Sequence, residues 1–187
     1  MNLREAENAE VFVYVYPWNG EKELPSHELL QRAICRYLGR ETETLTVCRD
    51  DEFGKPYIAE LPNVHFSISH SGGFWACAFC DAEVGLDLQN VGIAREEKVA
   101  RRFFHPSEVA WLEEHGFDEF FRLWAYKESY VKYKGTGLRE GLDYFSVVDG
   151  DLEVCQQEVP FRDGFYMVVT TEKRATVSLL NYNEQAP

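Results

Sequence analysis

The sequence predicts an α+β fold, and three observations carry the prediction. Strand-like runs follow one another at HFSISHS (65–71), FWACAFC (74–80) and VGLDL (84–88). Helix-like patterns gather before and after that block instead of alternating with its strands, which marks α+β and not a doubly wound sheet. The chain has 187 residues, 45% of them apolar, enough for one mid-sized domain or two small packed ones.

Along the chain, VFVYVY (11–16) reads as a strand ended by Pro17. Ser26 is a candidate cap for a helix through HELLQRAICRYL to a stop at Gly39, with Leu29, Leu30, Ala33, Ile34, Tyr37 and Leu38 in helical spacing. LTVCR is a short strand, and FGKP (53–56) is a turn by its Gly and Pro. After the strand block, a helix is expected from about Ala94 to Phe104, and Pro106 opens another that ends at Gly116. FFRLWAYKESYVKYK gives a third, stopped at Gly135. Strands are expected at Tyr144–Val148, Leu152–Cys155, Phe165–Thr170 and Thr176–Leu180. A division near Gln89–Gly92 would give two small α+β units, residues 1–89 and 90–187.

The formal net charge is −13, which argues against a nucleic-acid binder or an acidic-membrane binder, because phosphate backbones demand a large basic surface. The charge is uneven, however. REEKVARR (95–102) and the stretch holding Arg122, Lys127, Lys132, Lys134 and Arg139 are basic. An acidic chain with a basic middle is set up to receive a local anion. The opening MNLREAENAE has no apolar leader core, and VFVYVYPW is too short to span a bilayer. The five cysteines are an odd number without framework spacing, so a reduced, cytoplasmic protein is expected.

Trp124, Glu128 and Lys132 fall on one stripe of the third helix. That spacing allows a surface salt bridge worth about 0.3 kcal/mol. The aromatic residues around it also allow a partly buried carboxylate, which wants a metal or another cation. Asp87 stands between apolar neighbours, on the strand face of Gly85 and opposite Val84, Leu86 and Leu88. An acid there is either a strand-end turn residue or a Mg²⁺ ligand. Gln89 lies on the Asp87 face. Ser67, Ser69 and Ser71 share a face and could donate to a phosphate, with His70 opposite them. No G-x-S-x-G elbow supports a hydrolase. Cys77 and Cys80 point to opposite faces of a strand and lack a second pair, so they do not read as a zinc site. Lys55 sits on a rigid turn, either solvated or facing a ligand.

In order and spacing, FGKP, FSISHS, VGLDL, RRFFHPSE and WAYKESYVKYKGTGL resemble the surfactin-type 4′-phosphopantetheinyl transferases. The resemblance implies a pseudo-dimer of two similar α+β halves with coenzyme A in the cleft between them. It implies transfer of the phosphopantetheine arm of coenzyme A to a serine of an acyl or peptidyl carrier protein, with adenosine 3′,5′-bisphosphate as the other product. Carrier proteins are typically acidic, which gives the basic middle a partner. By motif, Asp87 and Glu128 would bind Mg²⁺, with Gln89 beside them. Glu128 would also act as base, and Lys132 would hold phosphate oxygens. Lys55, Pro56, Ser69 and His70 would hold the nucleotide, and Glu108 would support the site from the second half. With both halves in one chain, a working monomer is expected.

Two positions depart from the family pattern: Gln89 stands where it has a second acid, and Ser67 where it often has asparagine. The segment before the first helix looks short, and the family's basic contacts to coenzyme A from that region have no clear match. A coenzyme A- or carrier-binding module with weak catalysis is the alternative that Gln89 motivates.

Overall fold

A computed structural model describes residues 8–22, 24–41, 45–49, 54–93, 95–137 and 141–181. Phe53 of the FGKP turn, Ala94 at the expected helix start, and Leu138 to Glu140 at the end of the basic stretch lie outside the described residues.

Two sheets stack between two helices. In the first sheet, β1 (Ala9–Pro17) is central. It pairs antiparallel with β5 (Phe74–Cys80), and β5 pairs with β4 (His65–Ser71). On its other side β1 pairs in parallel with β9 (Ala175–Asn181). The second sheet is antiparallel, with β8 (Phe165–Thr171) between β6 (Val84–Asn90) and β7 (Cys155–Glu158). A ribbon of β2 (Val47–Cys48) and β3 (Tyr57–Ile58) flanks the first sheet. Strands therefore cross the line drawn at residue 89 in both directions. β6, before it, belongs to the second sheet, and β9, from the far end, completes the first.

Alternation along each strand builds the layers. Val11, Val13 and Val15 of β1, with Ala76 and Ala78 of β5, face Leu86, Leu88, Met167 and Val169 of the second sheet and close an apolar inter-sheet core. The opposite face of the first sheet holds Tyr14, Tyr16, Trp75 and Phe79 against Leu29, Leu30, Ala33 and Ile34 of α1 (Ser26–Leu38). Cys77 lies in this outer core and Cys80 in the inner one, on opposite faces as alternation requires.

The far face of the second sheet carries α4 (Phe120–Lys134). Gly85 permits this. A Cβ there would meet the Ser129 carbonyl oxygen at 1.9 Å and the Tyr133 nitrogen at 2.6 Å, so only glycine lets the helix backbone lie so close to β6. The aromatic N-terminal half of α4, with Phe120 and Phe121, packs on α2 (Glu96–Phe103) and α3 (Pro106–His115). The helix stops at Gly135, in the left-handed conformation (φ 70°).

Three expectations change. Ser26 does not cap α1, whose cap position is Pro25. The Ser26 hydroxyl instead accepts from the Trp75 indole at 2.7 Å, and Glu21 takes the Ser26 N–H. Residues 144–148 form no strand; Phe145 is buried against Val131 and Leu142, while Ser146 Oγ accepts from Ser107 Oγ at 2.9 Å. The strand expected at Leu152–Cys155 begins only at Cys155.

Candidate active site

The sheets meet along an unusual seam. β6 is an edge strand, and its outward N–H groups need acceptors. Leu86, Leu88 and Asn90 donate theirs to the hydroxyls of Ser67, Ser69 and Ser71 at 2.9, 3.1 and 2.9 Å. The shared face of the three serines thus stitches β4 to β6. Ser67 is a member of this ladder, which gives the departure from asparagine a structural use.

Asp87 lies under the seam, 5% exposed. Its Oδ1 accepts from Ser69 Oγ at 2.8 Å and from Lys132 Nζ at 2.7 Å. Its Oδ2 is buried and meets no hydrogen-bond partner among the described residues. Glu128 stands one helical turn before Lys132, half-buried. Burial pushes its carboxyl above the ordinary range and the Asp87 carboxylate pushes it further, with Lys132 opposing. Two carboxylates that disturb each other, one with an orphaned buried oxygen, suit a divalent cation. Among the described residues there is no cluster of three or more His, Cys, Asp or Glu side chains of the kind that could hold a metal alone.

A cleft of about 320 Å³ opens beside this pair, lined in part by Arg49, Lys55, Pro56, Ser67, Glu128 and Lys132. Lys55 is packed against Gly135 at the end of α4, where a Cβ would come within 3.1 Å of its own. Its ammonium donates to the Val84 carbonyl at 2.7 Å and pairs with Glu83, which also meets His65. Burial lowers the Lys55 pKa, and the Glu83 contact opposes the shift.

Some of the expected residues therefore converge: Lys55, Pro56, Glu128 and Lys132 share the cleft, and Asp87 lies against Lys132. Ser69, below it, gives its one proton to Asp87. His70 is exposed at the end of β4, its ring 4.7 Å from that of Trp18. Gln89 is half-buried, and its amide nitrogen donates to the Asn90 carbonyl at 2.9 Å. Glu108 lies elsewhere, fully buried and paired at 2.6 Å with an equally buried Lys127. It also accepts from the backbone N–H of His105 and Val147, closing a capping box on α3. Lys127 donates to the Phe145 carbonyl at 2.8 Å and faces that ring at 4.0 Å. Of the lysines on α4, Lys127 thus anchors the helix, Lys132 serves the cleft and Lys134 is exposed. Sequence reasoning missed Arg49; only its place shortly before FGKP could have pointed to it.

A mixed α/β fold thus carries a cation-lined cleft beside two carboxylates, Asp87 buried and Glu128 half-buried. Residues 83–177 match the family model described as the 4′-phosphopantetheinyl transferase superfamily, and the chain belongs to that superfamily. Over 100 residues it is 42% identical to 4′-phosphopantetheinyl transferase Sfp of Bacillus subtilis (strain 168), a match covering 51% of this chain and 44% of that protein. Over 137 residues it is 32% identical to 4′-phosphopantetheinyl transferase gsp of Aneurinibacillus migulanus, covering 71% and 56%. 4′-Phosphopantetheinyl transferase HetI of a Nostoc strain is 28% identical over 134 residues, covering 67% and 56%. The chain spans about half the length of the curated relatives it matches. Among the described residues, no helix is long and apolar enough to cross a membrane.

Proposed function

We propose that the chain transfers the 4′-phosphopantetheine arm of coenzyme A to a serine of an apo acyl or peptidyl carrier protein, releasing adenosine 3′,5′-bisphosphate. The observation that carries this reading is the cleft in which Lys55, Glu128 and Lys132 meet beside Asp87. Cations and a desolvated carboxylate in one cleft suit a phosphoryl substrate attacked by a hydroxyl.

In this reading Asp87 and Glu128 would hold Mg²⁺, with the Gln89 amide oxygen as a neutral third donor. When bound, the ion would neutralise the coenzyme A pyrophosphate and the leaving bisphosphate. Lys132, partly exposed, releases Asp87 to hold phosphate oxygens near the point of cleavage. Glu128 would take the proton of the carrier serine. Lys55 and Pro56 would hold the nucleotide and its phosphates, with exposed His70 contributing from the end of β4. Glu108 acts at one remove, fixing α3 to α4 through the residue before Glu128.

Each helix-backed sheet would be one half of a pseudo-dimer, which favours a working monomer. Exposed Lys98 and Arg102 of α2 and Lys134 of α4 would meet an acidic carrier, in a reduced cytoplasmic setting that suits cysteines without disulfides. Coenzyme A, Mg²⁺ and an apo carrier test the reading together. The carrier should gain the mass of one phosphopantetheine arm. If coenzyme A binds but no mass is gained at any Mg²⁺ concentration, the binding module that Gln89 favours takes its place.

A further inference from the structure

The three serines of β4 are equal toward the backbone of β6 but not toward its side chains. Ser67 and Ser71 accept from Leu86 and Asn90. Ser69 accepts from Leu88 and also donates to Asp87 Oδ1 at 2.8 Å. A hydroxyl has one proton, and the incoming Leu88 N–H restricts where that proton can point. Lys132 Nζ arrives on the same carboxylate oxygen at 2.7 Å. Both donors therefore converge on Oδ1, while Oδ2 is left buried and without a partner among the described residues.

We propose that Ser69 is a positioning residue: it holds the Asp87 carboxylate in the orientation that turns Oδ2 toward a divalent cation. This rests on the reading of Asp87 as a cation ligand. A freely rotating carboxylate would exchange its two oxygens between lysine and cation. A second, neutral donor on Oδ1 removes that freedom, and it stays in place when Lys132 leaves for a phosphate. The proton expected to face a phosphate is thereby committed to Asp87. Partners of this kind, one step behind a ligand, typically change metal affinity by about 10- to 100-fold when removed.

The ladder contains its own control. Ser67→Ala removes a buried acceptor of the same kind, on the same strand and face, without touching the carboxylate. Mn²⁺ alone, titrated into the whole chain and followed by water-proton relaxation, reads the site without turnover. Ser69→Ala should weaken Mn²⁺ binding about tenfold, Ser67→Ala should leave it unchanged, and both should lower Tm. Equal loss of Mn²⁺ affinity in the two variants, or none in either, would overturn the proposal. If Ser69→Ala does not fold, Ser69→Cys fills the same space with a weaker donor and is judged by the same comparison. Asp87→Asn separates the two levels. If it leaves Mn²⁺ binding intact, the cation reading fails and the positioning role with it. If it abolishes binding while Ser69→Ala behaves like Ser67→Ala, only the positioning role fails.

Discussion

Lys132 donates to Asp87 at 2.7 Å, across the contact between α4 and β6, and not to Glu128 one turn away on its own helix. The salt bridge that helical spacing allows is replaced by one between elements. Glu128 is left without that neutralising contact, and Asp87 keeps a cation only on one oxygen.

Glu128→Gln should lower turnover about 100-fold or more, far more than it weakens coenzyme A binding, because a carboxylate serving as both ligand and base acts mainly as charge develops. Single-turnover transfer to an apo carrier, set beside coenzyme A binding, separates the two effects. Equal turnover in variant and parent would remove Glu128 from the chemistry.

The same substitution should raise thermal stability at neutral pH. The raised pKa of Glu128 means that the folded chain holds this proton more firmly than the unfolded one. Its favourable contribution is therefore complete below the ordinary carboxyl pKa and is lost as pH rises through the folded value. Glutamine does not titrate. Thermal unfolding should give the variant the higher Tm at about pH 7, with the gap closing by about pH 4.

Lys127→Met should destabilise the fold by about 3–5 kcal/mol, because it strands a fully buried Glu108. Adding Glu108→Gln should recover part of that loss, since the pair is removed together. Urea unfolding of the parent, both single variants and the double variant measures the coupling. Additive losses would show that the two side chains act independently.

Gly85→Ala should push α4 away from β6, since the new methyl would collide with the Ser129 carbonyl. The expected cost is about 1–3 kcal/mol of stability. Activity should fall by about 100-fold, because Glu128 and Lys132 move with the helix while Asp87 stays on the strand. A variant with parental activity would show that the helix is free to shift without harm.

Gln89→Glu should lower the Mg²⁺ concentration needed for half-maximal rate, since Mg²⁺ prefers anionic oxygen. The maximal rate need not rise, because the added charge also repels a pyrophosphate. Rate against Mg²⁺ for the two proteins decides the matter; superimposable curves would place Gln89 outside the cation's reach.

Much of the site was legible because it is written in local periodicity. Alternation put Ser67, Ser69 and Ser71 on one face and Asp87 opposite Leu86 and Leu88, and the structure keeps both patterns. Helical spacing set Glu128 and Lys132 on one stripe. What spacing does not carry is the partner across space. Nothing local tells Lys127, buried against Glu108, from Lys132, which reaches Asp87. Nor does β-propensity separate a strand at 144–148 from an apolar loop, because tertiary burial of Phe145 decides that segment. The serines pointed to hydroxyl donors, yet their main bonds are as acceptors for an edge strand whose neighbour the sequence does not name.

The parallel pairing of β1 with β9 also bears on how the chain reaches this state. Ala9 lies beside Ala175, and Val15 beside Asn181. The central strand of the first sheet thus lacks one neighbour until nearly the whole described chain has been made. Contacts so distant in sequence raise contact order and slow folding. In the meantime β1 offers an open apolar edge, a hazard for strand-to-strand aggregation during synthesis.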